Sequence, residues 1–432
     1  MMEEHTARHL VVIVGGAVAG SEAAFQLAQR NVICIVLEQN DHPYGKIEDG
    51  LPRWHEKLRR QEKEKIDARL SLPGVQLFSR IKLGRDVSLD ELIGWGANAV
   101  ILANGAWRDR ALPLPGIDRF AGRGFYYQNT FVYWFNHYPE PGYQGPRIEP
   151  ADGALVVGGG LASLDVVKIL MLENACRRLQ ERGYDASLYD LERIGIAKVL
   201  AEFGQSPEAI GLRGCTLLYR RKAEDMPLAE PREGATPEQL EQTRATRIKL
   251  LRNFMAKYMF TFLERQIPVG YFSENEHIAG LRVAATALRG EEIDVIEGTA
   301  REVPAPLVVS SIGSIPEPIP GIPMRGQTYR IRDPNTGELE GLKGIYAVGN
   351  AVTGKGNILV SSRHGRTVSQ HMLENYLLGT GTGYEEVFAE AAADAREKVD
   401  AVARHVAGQV ALSPERIADI LGRVKALQQR IK

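Results

Sequence analysis

The sequence predicts an α/β protein that is built on two parallel β-sheets and ends in a helical tail. A strand, a glycine-rich turn and a helix follow one another near the N-terminus, and the same order returns after residue 150. Strands that alternate with helices in this way are typical of parallel sheets. From about Tyr384 the chain is rich in alanine, glutamate and arginine, which favours helix over the last fifty or so residues.

Composition limits the classes of protein to which this chain could belong. The 432 residues suggest two or three domains, at roughly 100–200 residues each. The formal net charge of −1 gives no overall field that favours nucleic acid or an anionic membrane. Cys34, Cys176 and Cys215 are far apart, so we expect no disulfide framework, no redox dithiol and no four-cysteine cluster in this chain. Neither a signal peptide nor an apolar run of membrane-spanning length is apparent, and we expect a cytoplasmic protein.

The first glycine turn has the pattern of a dinucleotide-binding loop. Residues 9–15 (HLVVIVG) predict a buried strand, residues 20–30 a helix and residues 32–37 a second strand that ends at Glu38. A carboxylate in that position accepts both ribose hydroxyls and repels a 2′-phosphate, although a solvated glutamate is the alternative. Alanine replaces the second glycine of the G-x-G-x-x-G pattern. The turn residues that we predict to bind a dinucleotide are Gly15, Gly16, Ala17, Ala19 and Gly20.

The second glycine turn repeats this pattern with a basic ending. Residues 154–157 (ALVV) predict its strand, residues 161–172 its helix and residues 215–219 (CTLLY) the next strand. Arg220 and Arg221 follow, and guanidinium groups suit a 2′-phosphate, so we predict NADP, with NAD or a solvated basic turn as alternatives. Serine replaces the third glycine. The predicted binding residues of this turn are Gly158, Gly160, Leu161, Ala162 and Ser163.

Two nucleotide-binding units in one chain predict two Rossmann-like domains and an oxidoreductase that uses two dinucleotides. Two further short strands end in turns of interest. Residues 99–102 (AVIL) lead into Ala103, Asn104 and Gly105, and residues 345–348 (IYAV) lead into Gly349 and Asn350.

Four segments resemble a known family. They are residues 43–47 (PYGKI), 80–92 (RIKLGRDVSLDEL), 100–107 (VILANGAW) and 217–228 (LLYRRKAEDMPL). Over about residues 9–378 the chain resembles the family of adrenodoxin reductase, bacterial ferredoxin–NADP reductase of that type and the glutamate synthase small subunit. Asn104 stands where that family usually has threonine, and Asn350 where it usually has aspartate.

The resemblance implies an FAD-binding domain that is split by an inserted NAD(P)-binding domain. The expected segments are 1–107 and 307–380 for FAD, 108–306 for NAD(P), and 381–432 for the helical tail. Gly45, Lys46 and Ile81 join the expected FAD site. The resemblance also implies that a helix beginning near Ser361 points at the flavin. The loop residues expected in front of that helix are Gly356, Asn357 and Ile358.

The family further implies redox roles for His55 and Asp165, although each is also compatible with an ordinary surface position. It implies that FAD takes a hydride from the nicotinamide at N5 and passes single electrons to a ferredoxin-like or other iron–sulfur protein or subunit. We expect no metal, nucleic acid or membrane partner. The alternatives are the flavin subunit of a larger complex, such as a tungsten- or molybdenum-dependent aldehyde oxidoreductase, and a non-catalytic FAD-binding assembly subunit.

Two surface features give weaker expectations. Residues 388–406 carry alanines and valines on a possible docking stripe, or they form a helix that covers the protein's own surface. Basic residues at 59–65 could meet an acidic partner, but their mixed signs favour an ordinary charged helix face.

Overall fold

The computed structural model describes residues 8–377 and 410–431, apart from 233, 291 and 355. The chain divides into two compact units. Unit 1 contains Met1–Glu48, Glu56–Arg108 and Ser314–Lys432, and unit 2 contains Asp49–His55 and Asp109–Gly313.

The helices and strands are numbered here in chain order. The strands are β1 (Leu10–Val14), β2 (Ile33–Leu37), β3 (Val75–Phe78), β4 (Ala99–Leu102), β5 (Arg108–Asp109), β6 (Phe125–Tyr127), β7 (Leu155–Gly158), β8 (Thr216–Leu218), β9 (Thr261–Leu263), β10 (Gln266–Glu274), β11 (His277–Arg289), β12 (Glu292–Val295), β13 (Arg301–Pro304), β14 (Val308–Ser311), β15 (Ser314–Ile315), β16 (Met324–Arg325), β17 (Thr328–Tyr329) and β18 (Ile345–Ala347). The α-helices are α1 (Val18–Ala28), α2 (Lys46–Asp49), α3 (Glu56–Leu70), α4 (Leu89–Gly94), α5 (Gln128–His137), α6 (Leu161–Gln180), α7 (Leu188–Ile194), α8 (Ile196–Glu202), α9 (Pro237–Tyr258), α10 (Asn350–Thr353), α11 (Ile358–Met372) and α12 (Pro414–Ile431). Short 3₁₀ helices lie at Ile117–Phe120 and Ala223–Asp225, and a short π-helix lies at Leu373–Leu377.

Unit 1 is built on a five-stranded sheet in the order β18-β4-β1-β2-β3. All four strand pairs are parallel. All five residues of β1 are buried, as expected for a strand that is covered on both faces. Because β2 lies on one side of β1 and β4 on the other, the strand order reverses at β1, and ligands of open α/β sheets bind at such a point.

A buried carboxylate joins three helices of unit 1. Glu22 on α1 is fully buried and accepts hydrogen bonds from Arg366 Nε (3.0 Å) and Ser362 Oγ (3.1 Å) on α11. Arg69 on α3 forms an ion pair with the same carboxylate. Burial raises the pKa of Glu22, but the bonds from Arg366 and Gln26 and the charge of Arg69 outweigh it, so the pKa is lowered overall.

The C-terminal helix α12 packs into unit 1. Ile417, Ile420, Val424 and Leu427 repeat at helical spacing, and all four are buried in one cluster with residues of β1 and α4. The part of the tail described by the structure therefore covers the protein's own core. The docking stripe that we predicted at residues 388–406 lies outside the described residues.

Unit 2 contains a second parallel sheet in the order β6-β14-β7-β8-β9. The strand order reverses at β7, so this sheet has the same kind of crevice as unit 1. An antiparallel sheet adds β10, β11 and β12, with β13 also paired to β11. The fold class predicted from the sequence, two dinucleotide-binding folds with a C-terminal helix, is confirmed.

The boundaries between the two units fall at other residues than the boundaries that we expected between the domain segments. Residue 307 was the expected start of the second FAD segment, but β14 pairs with β6 and β7 in the sheet of unit 2, and the division follows at Gly313. Residues 49–55, here called the strap, also belong to unit 2, although they were expected within the first FAD segment. In the described parts of the chain no helix is both long and apolar enough to cross a membrane.

Candidate functional site

The first glycine turn lies at the carboxyl end of β1, where the strand order of unit 1 reverses. Gly15 has a φ of +97°, and a Cβ there would lie 2.6 Å from the Ala103 carbonyl oxygen. A Cβ on Gly20 would overlap the Gly15 carbonyl oxygen. The helix α1 that follows has Ala17 as its N-cap residue, which provides no side-chain cap, and it has no acidic residue in its first turn. Its first N–H groups therefore suit an anion such as pyrophosphate.

Glu38 is held at the end of β2 by two backbone amides. Its carboxylate accepts hydrogen bonds from Gly16 N (3.0 Å) and Asn40 N (3.0 Å), and its exposed fraction is 4%. These bonds fix the carboxylate beside the glycine turn. It is not the solvated glutamate that the sequence left as an alternative.

An open cleft joins the turns that were predicted separately. Predicted binding residues along it are Gly15, Ala17, Glu38, Gly45, Ile81, Ala103, Asn104 and Gly105. Sequence reasoning missed other residues of its wall, among them Lys82, Trp107, Glu317 and Ile319. Trp107, two residues after the turn at Gly105, could have been found by its position. No local signal indicates Glu317 and Ile319.

A hydrogen bond to a buried tyrosine fixes the Asn104 side chain at the cleft. Its Nδ2 donates to Tyr329 Oη (2.8 Å), which donates to the Glu317 carbonyl oxygen (3.1 Å). Burial raises the pKa of Tyr329 to about 12. Among the described residues, Asn104 Oδ1 is buried without a hydrogen-bond partner. This acceptor is available to a ligand in the cleft.

The Gly349-Asn350 turn carries a similar buried acceptor. Gly349 has a φ of +71°, and its N–H donates to His364 Nδ1 (3.0 Å). Within the described chain, Asn350 Oδ1 is buried and lacks a partner. A Cβ on Gly356 would lie 3.8 Å from Asn350 Nδ2, so these predicted residues meet. The arrangement fits a polar group of a bound cofactor.

Helix α11 begins three residues earlier than expected, at Ile358 instead of Ser361. Asn357 is its N-cap, and Asn357 Oδ1 accepts from Leu359 N (2.8 Å) and Val360 N (3.4 Å). The helix N-terminus that was expected to face the flavin is thus capped by its own chain at these two amides. Sequence alone could have placed the start, since asparagine is a preferred N-cap residue.

The remaining predicted residues of unit 1 pack beside the cleft. A Cβ on Gly349 would lie 2.8 Å from Ala19 Cβ, and one on Gly365 would lie 2.6 Å from the Ala19 carbonyl oxygen. A small residue at 19 thus lets α1 approach α11 closely. Lys46 Nζ contacts Ser314 Oγ (3.1 Å) and lies 5.7 Å from the centre of the Trp107 ring.

The second glycine turn repeats this geometry in unit 2. A Cβ on Gly158 would overlap the Ser311 carbonyl oxygen of β14, and the N-cap residue of α6, Gly160, provides no side-chain cap. Ser163, which replaces the third glycine, is buried and donates to the Gly160 carbonyl oxygen (2.6 Å). Leu161 and Ala162 occupy the first turn of α6, so their N–H groups suit a phosphate.

A tyrosine and two arginines follow β8 next to that turn. The Tyr219 ring lies so close that a Cβ on Gly159 would overlap it, and Tyr219 Oη donates to the Asp225 carbonyl oxygen (3.0 Å). Thr286 Oγ1 donates to the Arg220 carbonyl oxygen (2.8 Å), which anchors its backbone while the side chain stays exposed. Arg221 is half-buried.

His55 and Asp165 meet within unit 2. His55 Nε2 lies 3.9 Å from Asp165 Oδ1, and both side chains are partly exposed. The strap and the second turn of α6 bring them together. In the described residues no group of three or more His, Cys, Asp or Glu is arranged to hold a metal ion.

Other proteins are similar to this chain in sequence and in fold. Residues 9–179 match the family "Pyridine nucleotide-disulphide oxidoreductase". The chain is 28% identical to the NADPH-ferredoxin reductase FprA of Mycobacterium leprae, over 79% of this chain and 78% of that protein. It is 24% identical to the mitochondrial NADPH:adrenodoxin oxidoreductase of Arabidopsis thaliana, over 72% and 69% of the two chains. A putative glutamate synthase small chain of Cereibacter sphaeroides is 24% identical over 84% and 76%.

A solved structure agrees with the fold. Mycobacterium tuberculosis FprA in complex with NADPH superimposes with a TM-score of 0.66 and 21% identity, over 93% of this chain and 90% of that chain. The resemblance inferred from the sequence motifs is therefore confirmed. The chain thus matches the pyridine nucleotide-disulphide oxidoreductase family over residues 9–179 and is similar over most of its length to NADPH-ferredoxin and adrenodoxin reductases.

Proposed function

We propose that this protein is an FAD-dependent NADPH oxidoreductase that exchanges electrons with a ferredoxin-like iron–sulfur protein. The observation that carries the proposal is the pair of parallel sheets whose strand order reverses beside an uncapped, glycine-rich helix N-terminus. Each is suited to a dinucleotide. The names of the related reductases supply the acceptor class.

The residues of unit 1 fit FAD. Glu38 would accept the adenosine ribose hydroxyls, and the first turn of α1 would receive the pyrophosphate. The buried oxygens of Asn104 and Asn350 lack partners among the described residues and would each accept one hydrogen bond from the cofactor. When bound, FAD supplies hydride acceptance from the nicotinamide and release of single electrons.

The residues of unit 2 fit NADPH. The N-terminus of α6 would bind pyrophosphate, and Arg220 and Arg221 would form charge-assisted bonds to the 2′-phosphate. NADH remains the alternative coenzyme. His55 Nε2 and Asp165 Oδ1 lie 3.9 Å apart, and we propose that these two side chains support proton movement during the reaction.

The test is the visible spectrum of the purified protein, followed by anaerobic addition of NADPH or NADH. We expect a flavin band that bleaches faster with NADPH. The bleached protein should then reduce an added ferredoxin. Absence of flavin from protein that still binds NADPH would contradict the central assignment.

Two alternatives are separated by the same experiment. Similarity to a glutamate synthase small chain favours a flavin subunit of a larger enzyme, which would bleach but fail to reduce free ferredoxin. The other alternative, a non-catalytic FAD-binding subunit, rests on the replacements at Ala17, Asn104 and Asn350, and its flavin would stay oxidised with either coenzyme.

A further inference from the structure

The strap, residues 49–55, is attached to the other residues of unit 2 along its length. His137 Nε2 lies 3.0 Å from Asp49 Oδ1, and Asn136 Nδ2 donates to the Leu51 carbonyl oxygen (3.1 Å). Both partners lie on α5. The strap ends at His55, so whatever fixes the strap also fixes that histidine.

Arg53 makes the densest set of contacts in the strap. Its guanidinium donates to the Phe135 carbonyl oxygen (2.6 Å) and to Tyr138 Oη (3.0 Å), and it lies 3.7 Å from Glu173 Oε1 on α6. It also faces the ring centres of Phe135 (4.2 Å) and Tyr138 (4.6 Å). The side chain is 13% exposed. A planar cation held by two rings and a carboxylate has little freedom to move.

Trp54 continues the attachment toward α6. Its ring centre lies 4.9 Å from that of Phe135 and 4.3 Å from Lys168 Nζ. Lys168 is 5% exposed and pairs with Glu192 Oε1 on α7 (2.6 Å). Burial lowers the pKa of Lys168, and the bond to Glu192 opposes that shift. Lys168 follows Asp165 by three residues on α6, so the surface that seats Trp54 also carries the partner of His55.

We propose that Arg53 is a positioning residue: its clamp on Phe135, Tyr138 and Glu173 holds His55 next to Asp165. The role of the histidine itself rests on the proposed function, whereas the clamp does not.

The test measures the position of His55 directly. Diethyl pyrocarbonate modifies accessible histidines, and the rate at each site is followed by mass spectrometry on the full-length, cofactor-loaded protein. We expect Arg53→Met to raise the rate at His55 about two- to threefold, because the His55 side chain is already 36% exposed when the clamp is in place. The exposed His277 is the internal reference and should not change.

Two more variants keep the outcome decisive. Arg282→Met removes an exposed arginine of unit 2 that pairs with Glu302, and it should leave the His55 rate unchanged. Arg53→Lys keeps the charge but loses the planar, two-armed contact, and it should raise the rate less than methionine does. If Arg53→Met does not fold, Arg53→Lys decides. If the modification rate at His55 is unchanged in folded Arg53→Met, or in Arg53→Lys where the methionine variant does not fold, the proposal is overturned.

A kinetic measurement then separates this proposal from the proposed function. We expect Arg53→Met to lower kcat for reduction of an iron–sulfur acceptor severalfold while KM for NADPH stays constant. A faster His55 modification in a protein that NADPH never reduces would support the clamp and contradict the reductase assignment. Equal losses in kcat and in NADPH binding would mean general damage and would overturn the positioning role.

Discussion

Glu38 offers the sharpest test of the FAD site. Its two carboxylate oxygens accept from Gly16 N and Asn40 N, each at 3.0 Å, in a nearly solvent-free position. Glu38→Gln keeps the shape and removes the charge. The amide can accept from one of these N–H groups, but its NH₂ must then face the other.

The magnitude follows from these two bonds. A hydrogen bond to a charged group is worth about 1.5–3 kcal/mol and a neutral one about 0.5–1.5 kcal/mol, so the first bond weakens by about 1 kcal/mol and the second is lost. We therefore expect the unfolding free energy of the FAD-free protein to fall by about 3 kcal/mol. Loss of charge-assisted bonds to the ribose should also raise the FAD Kd about 10- to 100-fold.

The assays are urea unfolding of the FAD-free protein and titration of FAD by its fluorescence. The exposed Glu297→Gln serves as the control for charge removal, and it should change neither quantity. An FAD Kd within twofold of the unmodified protein, measured on folded Glu38→Gln, would refute the assignment of this carboxylate to the ribose.

Three further predictions concern the coenzyme, the first turn and acid stability. Replacing Arg220 and Arg221 by alanine should lower kcat/KM for NADPH by about 10- to 100-fold, with NADH use nearly unchanged; equal losses would remove the 2′-phosphate assignment. Gly20→Ala should abolish FAD binding because the added methyl group overlaps the turn, whereas Gly94→Ala meets nothing within 4 Å and should bind FAD normally. Glu22→Gln should destabilise the protein at neutral pH. Because the pKa of Glu22 is lowered in the folded state, its stabilising effect is present above about pH 4.3 and is lost as the pH falls through the lowered pKa. Urea unfolding should then show the gap between the variant and the unmodified protein closing at acidic pH, and a constant gap would contradict this reasoning.

Local patterns predicted the elements that carry the glycine turns. The run at β1 is apolar throughout and Gly15 needs a positive φ, so both follow from residue type. The strand β4 matches its expected bounds, 99–102, for the same reason. Adjacent residues decide these features, and a single sequence reports them well.

Long-range pairing decides the features that sequence reasoning missed. Glu317 and Ile319 line the cleft although they follow Gly105 by more than two hundred residues in the chain. The sequence next to them gives no sign of this position. The strap is assigned to unit 2 by contacts of Arg53 with α5 and α6, which local periodicity does not encode. The clamp surrounding Arg53 was therefore visible only in three dimensions.

The order of the strands in unit 1 affects how the chain folds as it is synthesised. β4 pairs with β18, so Val100 cannot pair with Ile345 until Ile345 has been synthesised. All of unit 2 after the strap is synthesised between these two strands. Until then one side of β4 is an open strand edge, the kind of surface that recruits other chains. Slow parallel pairing at such a distance favours aggregation of nascent chains. We expect the yield of folded protein to depend strongly on the synthesis temperature, and a fragment that ends before residue 345 to be insoluble.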